Sequence, residues 1–583
     1  MPVFAYHDHF RKELAQLLSG KIEEAFKVTF PWEKLYGLFG ATPTKAAGDL
    51  AFPMFIIAKE AKTNPAQAAK TLEASITKLP SFVTKHMAVG PYLNFFFDFQ
   101  SVAEKIIPDT LSGQRFQEKL THDSPKTMIE YSQPNTHKEL HVGHMRNLCL
   151  GDALVKLHRY SGFEMVSTTF PGDVGTHVAK CLWYLKYHYK GEVPNTRKGS
   201  WLGSMYSTAH NKLEEERGSD KEISNREQLT AILKQLEQKS GEFYDLWKET
   251  RQWSIELMKE VYDWAGVKFD VWYWESEVDS DSVKLAREYY KKGLFIEDKG
   301  CIGADLSEYG LGFCMLLKTD GNGLYATKDI ELARRKFQDY KIEKNIYVVD
   351  KRQEHHFKQV FKVLELMGFE NAKKCFHLPY DFVELPDGAM SSRKGNIVPL
   401  QSLIESMVKM IKDQYLNRYV TEWTPEQIEQ CAQIVAKGAI KYGMTRIDPG
   451  KKIVFDMQEW LKLDGESGPY IQYVYARINS MLNKLGAPKS EELKIEVQQE
   501  KDLVAALMSF HHVVQQATEQ YRPSALTAYL YDLARAYNSF YAECPVGSSE
   551  EPIRSSRLML SRATALTLKQ GLALLGIESP DKM

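Results

Sequence analysis

The chain has 583 residues, 43% of them apolar and 26% charged, with 75 Lys and Arg against 76 Asp and Glu for a net charge of −1. That is the balance of an ordinary soluble protein of about three to four domains, and it removes any bulk electrostatic argument for nucleic acid, which would have to be met by local basic patches. The seven cysteines are scattered, odd in number and never spaced C-x-x-C, which speaks against a disulfide framework or a zinc ribbon and for a reducing cytoplasm. No stretch approaches the roughly 20 apolar residues of a membrane helix. The opening MPVFAYHDHFRKEL lacks the apolar core of a signal peptide, and Asp8 and Glu13 argue against a transit peptide.

In chain order, the first hundred residues carry amphipathic helical periods (FRKELAQLL, AFPMFIIAKEA, PAQAAKTLEASITKL) and close on the alternating YLNFFFDF, predicting a small α+β domain over 1–105. TMIEYSQ then reads as a buried strand. It leads through PNTHKEL into a helical run with apolar Met145, Leu148, Leu154 and Leu157, stopped by Gly162, and EMVSTTF returns as a strand. This βαβ unit predicts a parallel sheet over 120–455 with its ligand at the strands' carboxyl ends. Charge-rich material such as NKLEEERGSDKEISNREQL marks a solvated helical insertion over about 190–280. Strand signals resume at FCMLLKTDGNGLYAT, with a turn at Asp320-Gly321, and at NIYVVD. Past about residue 410 the helical period dominates, predicting a separate all-α bundle that fills 456–583.

Two short stretches could carry chemistry. His141-Val142-Gly143-His144 falls where the strand meets the helix, so both rings share a helix N-terminus whose free N–H groups favour anions and whose dipole disfavours imidazolium. Neutral rings there would donate to charge developing on a phosphate, and Gly143 would let a base or ribose approach the backbone. A metal site would need His137 or Cys149 as further ligands; plain polar surface is the third reading of these four residues. The second stretch, DGAMSSRKGNIV at 387–398, sets Arg393 and Lys394 in a glycine-flanked loop suited to clamping pyrophosphate, or else forms an exposed basic turn.

The two stretches resemble the HIGH and KMSKS signatures of class I aminoacyl-tRNA synthetases. YSQPNTHKELHVGHMRN, GDVGTH, LYATKDIELA, YVVDKRQEHHFKQV, MSSRKGN, SGPYIQYVYARI, YLYDLARAYNSFY and the final GIESPDKM together resemble the arginyl-tRNA synthetase family, and GDLAFP and VGPYLNFFF resemble its added N-terminal domain. The resemblance implies a Rossmann-type α/β catalytic domain between a small α+β domain and an α-helical anticodon-binding domain. It implies an enzyme that joins L-arginine to its tRNA using ATP with Mg²⁺, monomeric and without a membrane partner.

By the same resemblance, His141 and His144 stabilise the α-phosphate transition state, and Gly143, His356, Met390, Ser391 and Ser392 contact ATP. Glu130, Asp329 and Tyr325 hold the guanidinium, and Asn135 and Gln353 the amino and carboxylate groups of arginine. A planar, permanently charged guanidinium calls for such carboxylates and a fixed hydroxyl. Tyr92 and Asn94 match positions that read the tRNA D-loop, and Tyr470, Tyr473, Arg477 and Met583 match anticodon contacts. Two departures stand out. Ala389 and Ser392 replace the signature loop's usual lysines, which moves the expected catalytic charge to Lys138, shared with Arg393 or Lys394. Val174 replaces the tryptophan usual in G-D-W-G, beside Asp173, which reads as a structural acid or a direct ligand. The rivals are another HIGH-type synthetase or nucleotidyltransferase, and an inactive tRNA-binding relative.

Overall fold

The computed structural model describes residues 8–121, 124–385, 388–389 and 399–583. Arg393, Lys394, Met390, Ser391 and Ser392 therefore lie outside the described residues. The first unit begins with helix His9–Phe26, whose first turn is capped by Asp8 accepting from Arg11 N–H at 3.0 Å. Its antiparallel sheet has the order β1 (Leu50–Pro53), β3 (Tyr92–Phe97), β2 (Val83–Val89). The alternation in YLNFFF buries Leu93, Phe95 and Phe97 against the helices, as period-two patterning requires.

The second sheet is parallel throughout: β4 (Thr127–Glu130), β5 (Met165–Thr169), β6 (Val271–Trp272), β10 (Lys344–Asp350) and β11 (Cys375–Tyr380), in the order β11-β10-β4-β5-β6. The chain runs outward from β4 through β5 to β6 on one side and through β10 to β11 on the other. The carboxyl ends of β4 and β10 thus flank a topological switch point, where an open α/β sheet leaves its crevice. Helix Val142–Tyr160 follows β4, as the βαβ pattern predicts.

Between β5 and β6 lie helices Thr176–Tyr187, Lys198–Glu215, Lys221–Glu237 and Glu242–Ala265. The charge-rich stretch is helical and largely exposed, as expected, but the helices around it form a layer with its own core, in which Ile232 and Leu236 pack on Leu182, Trp183 and Trp247. A small antiparallel sheet, β7 (Ile296–Asp298), β8 (Cys301–Asp305) and β9 (Phe313–Leu317), precedes helix Tyr325–Tyr340. LYAT was expected to continue a strand. After the Gly321 turn, however, the return stops at one bridge, Leu317 to Gly323, and Tyr325 opens the helix, so Tyr325 and Asp329 stand one turn apart on one face.

A last small sheet joins β12 (Val383–Leu385), β13 (Gly388–Ala389) and β14 (Ile453–Val454) around the signature-loop region. The chain beyond 399 is helical apart from β14, and the bundle over 456–583 packs directly against the catalytic unit, where Ser161 Oγ meets Thr518 Oγ1 at 3.1 Å. One hydrophobic core includes Leu14, Leu154, Ile440 and Leu530. Two buried polar contacts fix helix Val142–Tyr160 to helix Pro425–Thr445. Arg146, fully buried, donates to the carbonyls of Met444, Ile447 and Asp448, where the helix dipole favours a cation, and Asp152 pairs with buried Lys441 at 2.8 Å. No described helix is long and apolar enough to cross a membrane.

Candidate active site

At the switch point lies a cavity of about 620 Å³. His141 and His144 line one end, Glu130, Asn135, Glu275, Tyr325 and Asp329 the other, with Gly143, Gln353 and His356 on the walls. The sheet and two helix starts bring together residues that are up to some 230 positions apart in sequence.

The histidine pair is built into the helix start. His141 is the N-cap; its Nδ1 accepts from Gly143 N–H at 3.1 Å, and its own N–H donates to His144 Nδ1 at 3.1 Å. Each ring thus uses Nδ1 as an acceptor, which leaves the proton on Nε2 and makes both rings neutral N–H donors. Burial and the Lys138 ammonium hold His141 down to about 4; burial, His141 and Lys138 push His144 well below the usual range. Pro399, where the described chain resumes after the signature loop, bridges to His141, and Leu400 N–H donates to Leu140 O at 2.9 Å.

A metal at the histidine pair would need His137 or Cys149 as a further ligand. His137 is buried with Nδ1 at 2.9 Å from Thr136 Oγ1 and Nε2 at 2.8 Å from Thr250 Oγ1. Among the described residues no group of three His, Cys, Asp or Glu side chains could hold an ion. Lys138 is not in the cavity wall: its ammonium lies over the Tyr206 ring at 5.2 Å. Its charge adds to burial in favouring the neutral form of both histidines.

At the other end, Glu130 and Glu275 are paired with lysines and Asp329 with an imidazole. Glu130 pairs with fully buried Lys336, which also lies 4.4 Å over the Tyr347 ring. Glu275 pairs with Lys328 at 2.6 Å and Asp329 with His356 Nε2 at 2.6 Å. Sequence reasoning missed Glu275, Lys328 and Lys336, because a charged residue on a strand end or helix carries no signal of burial until the sheet and helices meet. A Cβ on Gly172 would overlap Asn135 Oδ1 and approach Glu275 Oε2 to 3.1 Å, so this glycine admits both side chains to the cavity. Tyr325 is exposed at the rim.

Asp173 is structural here. Fully buried, its carboxylate accepts from Arg251 Nε at 2.7 Å and from Ser276 N–H and Oγ at 2.8 and 2.7 Å. Val174 packs against the core of the helical insertion rather than on the cavity. In the first unit Tyr92 is exposed and meets Phe55 edge-on at 5.8 Å. Asn94 is not available at the surface: it is 2% exposed, and its amide donates to Ala47 O at 2.9 Å, bracing the loop before β1. In the bundle, Tyr470 is buried, its hydroxyl accepting from Asn538 at 2.9 Å. Tyr473 is half-buried, Arg477 is exposed over the Tyr541 ring at 4.6 Å, and Met583 packs at the edge of the core.

A parallel sheet whose first helix opens on H-x-G-H, with that pair neutral and turned into the switch-point cavity, defines the catalytic domain of a class I aminoacyl-tRNA synthetase. A family model described as tRNA synthetases class I (R), catalytic domain, matches residues 106–456; Arginyl tRNA synthetase N terminal domain matches 8–97, and DALR anticodon binding domain matches 471–583. The chain belongs to the arginyl-tRNA synthetase family. The arginine–tRNA ligase of Bdellovibrio bacteriovorus is 54% identical over 584 residues, covering 99% of this chain and 100% of that protein, and the one from Parabacteroides distasonis is 33% identical over 571 residues, covering 93% and 95%. The solved arginyl-tRNA synthetase of Thermus thermophilus superposes with a TM-score of 0.81 at 27% identity, covering 98% of this chain and 100% of that one.

Proposed function

We propose that this chain joins L-arginine to its tRNA in two steps. In the first, an arginine carboxylate oxygen attacks the α-phosphorus of ATP, the bond to the bridging oxygen breaks, and pyrophosphate leaves. In the second, a hydroxyl of the tRNA's terminal ribose attacks the adenylate carbonyl and AMP leaves. The observation that carries this reading is the switch-point cavity, with neutral N–H donors at one end and paired acids at the other. An anion and a cation held at fixed separation can be brought into line for attack, and catalysis then rests on positioning and electrostatics.

In this reading His141 and His144 donate Nε2–H to the α-phosphate as charge grows there, with the adenosine over Gly143. Asp329, Glu130 and Tyr325 receive the guanidinium, and Asn135 and Gln353 the α-substituents, joined by Glu275. Lys138, with Arg393 and Lys394, supplies the positive charge that Ala389 and Ser392 do not. Mg²⁺ arrives with ATP as part of the substrate. The exposed Tyr92 and the Tyr473 and Arg477 surface are the supported tRNA contacts, aromatic faces and a guanidinium being what splayed bases stack on. Buried Asn94 and Tyr470 act by shaping those surfaces. The enzyme works as a monomer in the cytoplasm.

Amino-acid-dependent ATP–pyrophosphate exchange tests this reading. Exchange with arginine alone among the amino acids, and only in the presence of tRNA, is the expected result. Exchange with another amino acid, or none under any condition, defeats it.

A further inference from the structure

The acids of the cavity differ in what neutralises them. Glu130 has Lys336, Glu275 has Lys328 and Asp350 has Arg352 at 2.7 Å, a lysine or an arginine in each case. Asp329 has an imidazole. His356 Nε2 lies 2.6 Å from Asp329 Oδ2, and among the described residues no donor is bonded to Oδ1. A guanidinium entering the cavity therefore meets three carboxylates already matched by fixed cations and a fourth whose charge hangs on a single proton.

We propose that His356 is a positioning residue for arginine rather than an ATP contact. As the neutral imidazole it donates Nε2–H to Asp329 and leaves Oδ1 for the substrate guanidinium. As imidazolium it cancels the Asp329 charge and repels the guanidinium. The inference rests on reading this cavity as the arginine site.

The surroundings of His356 supply few competing charges. Asp329 faces it from helix Tyr325–Tyr340. From its own helix come Phe357, edge-on at 5.4 Å, and Glu354, which pairs with Lys358. His377 on β11 stacks on Phe357, bonds Val349 O at 3.0 Å and is pushed down by burial, while Asp350 and Arg352 satisfy each other. Burial pulls His356 down, but the Asp329 hydrogen bond and charge outweigh it, so His356 stands above 6.5. His141 lies near 4 and His137 and His177 near 3, so those rings stay neutral where His356 titrates.

The sign follows by linkage. Arginine binds the deprotonated form, so its apparent affinity is full above the His356 pKa and falls as pH drops through it. Aminoacylation by the full-length enzyme with tRNA, arginine varied from about pH 6 to 8.5, reads this out. The KM for arginine should climb toward about tenfold per pH unit on the acid side, while the KM for ATP changes less than about twofold. His356→Gln and His356→Asn should flatten the arginine profile whatever their absolute rates. A flat wild-type profile, or an acid limb that persists in both variants, overturns the proposal.

Asp329→Asn separates the two ideas. A rise in the KM for arginine of about 100-fold or more keeps the arginine site, so that a flat wild-type profile beside it removes only the role of His356. An unchanged KM for arginine in Asp329→Asn removes the site itself.

Discussion

The two ends of the cavity can be compared by where their charges come from. At the histidine end, His141 and His144 are neutral, and attraction for an anion comes from oriented N–H groups at a helix start. At the acid end, Lys336 and Lys328 match Glu130 and Glu275 before substrate enters, while Asp329 has only the imidazole of His356. Oriented dipoles can sit in an apolar wall at little cost, whereas a lone buried carboxylate costs several kcal/mol unless paired. The difference teaches that a site for a cationic substrate needs counter-ions of its own, and that these, more than the acids, set how much charge remains for the ligand.

Breaking the acid end should have the largest effect. Lys336→Met strands buried Glu130 without its ion-pair partner, and should destabilise the protein by about 3 kcal/mol or more, read by denaturant unfolding. Lys336→Arg, which keeps the charge, should recover part of the loss. An unchanged midpoint in Lys336→Met would mean that the pair adds nothing to the fold.

At the histidine end, His144→Ala should lower kcat for arginine-dependent exchange by about 10²- to 10³-fold with little change in the KM for ATP, since a donor aimed at developing charge acts in the transition state. A rise in KM at constant kcat would make the ring a ground-state contact. Lys138→Ala should cost less, about tenfold in kcat, because its charge reaches the pair from outside the cavity wall. If kcat holds, the role passes to Arg393 or Lys394. The smallest effect expected is from Tyr92→Ala, a several-fold rise in the KM for tRNA with adenylate formation at saturating tRNA unchanged.

Much of the architecture was legible because its signals are local. The strand–helix–strand period over 127–169, the alternation in YLNFFF and the helical periods after 410 each follow from which faces must be apolar. HVGH could be placed at a helix start for the same reason. The strand expected at LYAT failed because a turn at Asp320-Gly321 fits both a hairpin and a loop into a helix, and the packing of Ala326, Ile330 and Ala333 chose the helix. The C-terminal helices form a domain of their own, as the period suggested, but a helical period records that a face is apolar, not what covers it; part of what covers them is helix Val142–Tyr160, beside which Ser161 meets Thr518.

The sequence by itself therefore determined the residue types of the site, the helix terminus on which the two histidines sit and the family to which the chain belongs. Tertiary structure alone decided the counter-ions. Lys336 and Glu130 are 206 positions apart, and His356 and Asp329 are 27, with no local pattern to announce either pair. Burial turns such separate charges into partners, since only a paired charge survives the loss of water. Tertiary structure likewise decided that Asn94 braces a loop and that Arg146 ties the catalytic helix to the end of helix Pro425–Thr445, because a side chain's partners depend on which surfaces meet.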